Sequence, residues 1–260
     1  MSFNLFSLKG KNVLITGASR GIGRACAVAL AEAGANICLV LRPSSSTFDT
    51  STTSTEGALR AIGVKVSVVQ CNLDDLEAVK QVFPKALELM DGNIHILVNC
   101  AGIQRRAPAV QFSEKDWDDV IAVNLKSVWL LSQAAGQHMV PLKRGKIINF
   151  GSLLTFQGGI TVPAYAAAKG ALGSLTKALS NEWSKEGVNV NAIIPGYIAT
   201  DMNEALLNNP TRLAQLNDRI PAGRWGQPED FAGPVVFLAS DASSYVCGEL
   251  LVVDGGWMGR

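Results

Sequence analysis

The chain has little from which to build a metal centre: two histidines, His95 and His138, and five cysteines with no C-x-x-C pair. Zinc sites draw three or four nitrogen and sulfur ligands from short, recognisable spacings, so no metal is expected. The odd number of scattered cysteines (Cys26, Cys38, Cys71, Cys100 and Cys247) reads as free thiols in a reducing compartment. Charge of one sign is lacking too. With 23 basic against 22 acidic residues the net charge is +1, which provides no electrostatic footprint for nucleic acid. No apolar run approaches the roughly 20 residues that span a bilayer; Ile37 to Leu41 is short, and Ile94 to Val98 is broken by His95. The opening MSFNLFSLKGK has no charged leader followed by an apolar stretch, so a cytoplasmic chain without membrane contact is expected. Charged residues are scarce at 17% against 48% hydrophobic, a balance that excludes wholesale disorder.

What is present is alternation. Apolar, β-branched runs at Asn12 to Thr16, Asn36 to Leu41, Lys65 to Gln70, Ile94 to Asn99, Gly145 to Phe150, Asn189 to Ile194 and Glu249 to Val253 predict strands. Helical periodicity lies between them at Gly23 to Ala33, Leu76 to Leu89, Ser113 to Met139 and Ala164 to Trp183. Such alternation implies right-handed crossovers and a parallel sheet covered on both faces. The expected architecture is α/β: one Rossmann-type domain over residues 1–260, a doubly wound parallel sheet of about seven strands with helices on both faces. Two stretches break the rhythm. Pro43 to Thr55, rich in serine and threonine, reads as a surface loop, and Thr200 to Gly226 reads as a long, lid-like excursion holding a short helix.

The first strand runs into Gly17-Ala18-Ser19-Arg20-Gly21-Ile22-Gly23 and then a helix. Glycines at that turn let the backbone approach a pyrophosphate, whose charge is favoured at the positive helix N-terminus. The second strand ends in Leu41-Arg42 with no acidic residue before Asp49. A carboxylate there would bind the ribose 2′-hydroxyl, whereas Arg42 together with Arg20 suits a 2′-phosphate. NADP is therefore expected over the alternative, NAD. The fifth strand delivers Ser152 to the carboxyl end of the sheet, and Tyr165 and Lys169 follow at helical i, i+4 spacing, so phenol and ammonium share one face. A cation beside the phenol would lower its pKa toward a usable acid or base.

The Gly-x-x-x-Gly-x-Gly spacing resembles the short-chain dehydrogenase/reductase family. Asn99-Cys100-Ala101-Gly102 stands where that family has Asn-Asn-Ala-Gly, and Asn124, Ser152, Tyr165 and Lys169 match its catalytic tetrad. The resemblance implies that Tyr165 exchanges the proton at the substrate oxygen, that Ser152 holds that oxygen, and that Lys169 binds the nicotinamide ribose. Asn124 would support a water leading from Lys169, or else be a buried helical asparagine bonded to backbone. By the same resemblance Ile22, Asn72, Asn99, Ala101, Gly102, Pro195, Gly196, Ile198 and Thr200 line the cofactor. The segments Phe112 to Val120, Phe156 to Ile160, Asn181 to Trp183, Arg219 to Gly226 and Val253 to Trp257 resemble a branch acting on the secondary hydroxyl or ketone of deoxy sugar acids. In that branch Arg105 and Gln157 would contact substrate, Arg105 and Arg106 suiting a carboxylate. NAD is the more usual cofactor of the branch, against the reading of Arg42. Trp257 resembles a subunit-interface residue, which implies a homotetramer. The alternatives are a general NADPH-dependent carbonyl or 3-oxoacyl reductase and a non-catalytic cofactor-binding regulator.

Overall fold

The computed structural model describes residues 3–43, 54–201 and 210–260. Strands β1 (Asn12–Thr16), β2 (Asn36–Leu41), β3 (Val66–Gln70), β4 (Ile96–Asn99), β5 (Gly145–Phe150), β6 (Val188–Pro195) and β7 (Leu250–Val253) form one sheet. All pairs are parallel, in the order β3-β2-β1-β4-β5-β6-β7. Each strand lies within two residues of the limits read from the sequence. β1 is buried along its whole length, as a strand covered on both faces must be.

The described helices are α1 (Gly21–Glu32), α2 (Thr55–Ile62), α3 (Leu76–Leu89), α4 (Glu114–Ile121), α5 (Ser127–Met139), α6 (Pro163–Trp183), α7 (Pro210–Arg219) and α8 (Ala232–Ala239). Leu30 of α1 and Val235 of α8 pack on one face of the sheet with Val13, Ile37 and Ile148. Phe83 of α3, Leu131 of α5 and Leu179 of α6 pack on the other with Leu14, Leu97 and Val190. Strand order reverses between β1 and β4, so the loops after these strands diverge and open a crevice at their carboxyl ends. No helix among the described residues is long and apolar enough to cross a membrane.

Two features differ from the sequence reading. The continuous helix predicted from Ser113 to Met139 is divided by a π-helical turn, Ala122–Lys126, which carries Asn124. Thr55, read as loop, opens α2: Ser54 caps it by accepting from Gly57 N at 3.0 Å, and Gly63 ends it at φ +89°. The rest of that serine-threonine tract, 44–53, lies outside the described residues, as do 202–209 of the expected lid. The described part of that excursion is anchored. Ile198 and Gly226 bridge its base, and Leu216 and Ile220 pack with Leu153, Trp225 and Trp257. Trp257, expected at a subunit contact, is 4% exposed inside this cluster, with the Arg219 guanidinium stacked 3.8 Å from its ring centre.

At the opposite end of the sheet His95 accepts the Asn12 N–H on Nδ1 at 3.0 Å. Burial, with Lys11, Arg144 and His138 nearby, pushes its pKa down to about 4. The unfolded chain binds a proton near pH 6.5 that the native ring refuses, so His95 contributes stability that is complete above pH 6.5 and lost as pH falls through 4. With solvent screening of a partly exposed ring, the loss is about 2 kcal/mol. His95→Asn keeps an acceptor near the Nδ1 position without the titration, and urea midpoints at pH 7 and 4.5 should converge relative to wild type. An unchanged pH dependence would assign the effect to other groups.

Candidate active site

The glycine turn and the loop after β4 meet at the switch point. Gly17 sits at φ +71°, and a Cβ there would lie 2.6 Å from Ala101 Cα; the two backbones touch because no side chain intervenes. A Cβ on Gly23 would lie 2.2 Å from Gly17 O, so the turn closes on itself. Thr16 Oγ1 accepts the N–H groups of both Cys100 and Ala101 at 3.2 Å, and Thr55 Oγ1 donates to Ala18 O at 2.8 Å. The loop is thus braced from both sides. Arg20 at the N-cap of α1 makes no side-chain cap bond, and the first turn carries no carboxylate. That donor set, unpaired first-turn N–H groups at a positive helix end behind a side-chain-free turn, fits a pyrophosphate.

Around this cradle, Ser19 and Ile22 lie in the loop and first turn, and exposed Asn72 follows β3. Arg42 stands exposed at the end of β2. Arg20, expected to join it, instead pairs with Asp201 at 2.8 Å; the pair is exposed and therefore weak. Gly196 is pressed against Asp254, where a Cβ would come within 2.6 Å of Asp254 Cα, and this aligns Pro195 and Gly196 beside β7. Ile198 is buried at 3%, and the Thr200 methyl would sit 3.5 Å from a Cβ on Gly21. Asn99, expected at the cofactor, turns its amide inward. It donates to Asn149 Oδ1 at 2.9 Å, and Asn149 donates to Thr176 Oγ1 at 3.0 Å, which ties β4 to β5 and α6.

Ser152 follows β5 on a short 3-10 turn, and Tyr165 and Lys169 project from the first two turns of α6. The Ser152 hydroxyl hydrogen-bonds the Tyr165 phenol. Burial raises the phenol pKa above its ordinary value, only partly offset by that bond and by the charge of Arg106. This corrects the expectation that Lys169 tunes the phenol downward. Lys169 Nζ lies over the ring, 5.6 Å from its centre, and donates to Phe150 O at 2.5 Å. Burial brings the ammonium itself down to about 8. Asn124, fully buried, accepts from Ile103 N and donates to Ile103 O, both at 2.8 Å. Its amide holds the Gly102–Ile103 loop, which is the backbone-bonded one of the two readings of this asparagine. The group converges on Gly102, where a Cβ would lie 3.5 Å from Asn124 Oδ1 and 3.9 Å from Lys169 Nζ.

A family profile described as enoyl-(acyl carrier protein) reductase matches residues 17–258. A 2-dehydro-3-deoxy-D-gluconate 5-dehydrogenase of Pseudoalteromonas atlantica is 52% identical over 98% of each chain. The chain belongs to the short-chain dehydrogenase/reductase family. Among solved structures, one from Agrobacterium tumefaciens with bound NADP shares 46% identity and a TM-score of 0.90, covering 99% of this chain and 100% of its own. A gluconate 5-dehydrogenase from Burkholderia cenocepacia, in complex with NADP and tartrate, is 38% identical at TM-score 0.90, covering 99% and 98%. As a short-chain dehydrogenase/reductase this protein is an NAD(P)-dependent oxidoreductase acting on CH–OH groups.

The remaining expected contacts separate. Arg105 Nε is 3.3 Å from Asp116 Oδ1 on α4, whereas Arg106 is the arginine whose charge is felt at the phenol. Gln157 reaches the C-terminal segment, donating to Met258 Sδ at 3.2 Å and accepting from Trp257 Nε1 at 3.5 Å. Sequence reasoning missed Thr55, hidden in a tract read as loop, and Thr155, which the serine-to-hydroxyl spacing of a reciprocal cap could have flagged.

Proposed function

We propose that this short-chain dehydrogenase/reductase moves hydride between NADP and the secondary hydroxyl or ketone of a deoxy sugar acid. The observation that carries this reading is a half-buried, protonated Tyr165 phenol bonded to Ser152, with Lys169 Nζ over its ring and the positive charge of Arg106 acting on it. When bound, NADPH would supply the hydride in reduction, and NADP+ would accept it in oxidation. In reduction Tyr165 gives its proton to the carbonyl oxygen, Ser152 holds that oxygen, and Lys169 turns from Phe150 O to the nicotinamide ribose. Main-chain groups of Gly17, Ser19, Gly21, Ile22 and Gly23 hold the pyrophosphate, Ala101 and Gly102 back the ribose, and Pro195, Gly196, Ile198 and Thr200 flank the nicotinamide. Arg42 takes the 2′-phosphate; this is supported by the absence of a carboxylate at the end of β2 and by the NADP held in similar structures. Arg106 takes the substrate carboxylate, a reading favoured by the pairing of Arg105 with Asp116. A homotetramer in the cytoplasm is part of the proposal, supported by the family resemblance and by Val252, 37% exposed on edge strand β7.

The test is steady-state reduction of a keto sugar acid with NADPH. Arg106→Ala should raise KM for the acid about tenfold, the scale of one charge-assisted bond, and leave a neutral ketone unaffected; Arg105→Ala should change either by no more than about threefold. NADH in place of NADPH should lower kcat/KM. Equal losses on acid and ketone would replace this reading with that of a general carbonyl reductase.

A further inference from the structure

We infer that Thr155 is a positioning residue that sets Ser152 against the Tyr165–Lys169 face of α6; the inference rests on the roles proposed above for Ser152 and Tyr165. Thr155 Oγ1 accepts the Ser152 N–H at 3.2 Å and donates its proton to Lys169 O at 3.1 Å. A hydroxyl has one proton to give, so the direction of both bonds is settled, and one atom joins the residue that holds the substrate oxygen to the helix that carries the acid. The Ser152 hydroxyl is steered by the same turn, since it accepts from Leu154 N at 3.2 Å.

The packing is as specific as the bonding. A Cβ on Gly151 would lie 2.8 Å from Thr155 Oγ1, and one on Gly173 would lie 2.6 Å from Thr155 Cγ2. The hydroxyl and the methyl therefore occupy a slot that exists because both flanking residues lack side chains. The slot admits the methyl and the hydroxyl one way round, and the two bonds hold the side chain there. Nothing else described connects the Ser152 main chain to α6 through a side chain. Losing the bonds while keeping the shape should leave the fold and the distant cofactor cradle intact and let Ser152 drift from the phenol.

Thr155→Val preserves the branched shape and removes both bonds. Its kcat for reduction should fall about tenfold to a hundredfold, the cost of a sub-ångström to 1 Å misplacement at a reacting centre. NADPH affinity, read by nicotinamide fluorescence, should stay within about twofold. Because the Ser152 bond lowers the phenol pKa, the basic limb of the kcat profile should move to higher pH, a change that mere loosening of the fold would not produce. Thr155→Ser should restore most of the rate. Thr155→Ala, which cannot overpack the slot, repeats the test if the valine variant folds poorly. Ser152→Ala is the reference. If it collapses kcat while Thr155→Val and Thr155→Ala keep both rate and pH profile, the positioning role is overturned alone. If Ser152→Ala is itself fully active, the proposed function of the site falls and this inference with it. Equal loss in Thr155→Ser and Thr155→Val, with no shift in the profile, would also overturn it, reducing Thr155 to packing.

Discussion

Tyr165→Phe should lower kcat by about a thousandfold or more while NADPH binds as it does to wild type. The substitution removes one oxygen from a ring whose apolar body remains seated beside Ile103, Phe112, Ala164 and Ala168, so neither fold nor cradle is disturbed. What disappears is the proton that would neutralise the substrate oxygen as hydride arrives. General acid catalysis contributes 10²–10⁴-fold, and about a thousandfold corresponds to roughly 4 kcal/mol of barrier. The raised phenol pKa sharpens the expectation. Burial keeps the group protonated through neutrality, so wild-type reduction should show a flat rate across pH 6–7, below the range where Lys169 titrates, and the phenylalanine variant should show no recovery at any pH in that range. Single-turnover mixing of enzyme, NADPH and keto acid measures the step directly. A variant that retains even a tenth of the wild-type rate would remove Tyr165 from its role.

Gly23→Ala should weaken NADPH binding by about a hundredfold or more, roughly 2.7 kcal/mol. Its Cβ would come 2.2 Å from Gly17 O and 2.8 Å from Gly17 C, and both contacts are backbone that no rotamer change relieves. Gly17 cannot retreat, because Ala101 already closes its other side. The loop must open, and the N–H groups at the start of α1 then lose their aim. Gly21 provides the control. There a Cβ would meet nothing nearer than Thr200 Cγ2 at 3.5 Å, so Gly21→Ala bears only the strain of φ +56°, about 1 kcal/mol. Fluorescence titration of the two variants should rank them in that order. Reversed ranking, or Gly23→Ala binding within about threefold of wild type, would show that the turn does not hold the cofactor.

Much of the fold was legible because its signals are local. Seven apolar runs of strand length separated by helical stretches carry their own periodicity, and all seven became strands of one parallel sheet. The glycine turn and the Tyr165–Lys169 spacing were equally readable, since a sharp turn and a shared helix face are properties of a few consecutive residues. Helix α2 escaped because its cap, Ser54, closes a serine-threonine tract that masks it; Gly63 was the readable stop. The π turn at Ala122–Lys126 escaped for another reason. It coincides with Asn124 binding Ile103, 21 residues earlier, a partner that no periodicity announces.

Local pattern in this chain thus determined the strand–helix order, the phosphate-type turn and the set Ser152, Tyr165 and Lys169. Tertiary structure alone decided what those groups can do. It turned Asn99 inward to tie β4 to β5 and Asn124 inward to brace a loop, gave Arg105 to Asp116 while leaving the charge of Arg106 to act on the phenol, and raised the Tyr165 pKa where a neighbouring lysine had pointed to a fall. The physical reason is the same in each case. Backbone geometry follows from residues close in sequence, whereas desolvation, charge and hydrogen-bond saturation depend on which distant groups the fold brings to within a few ångströms.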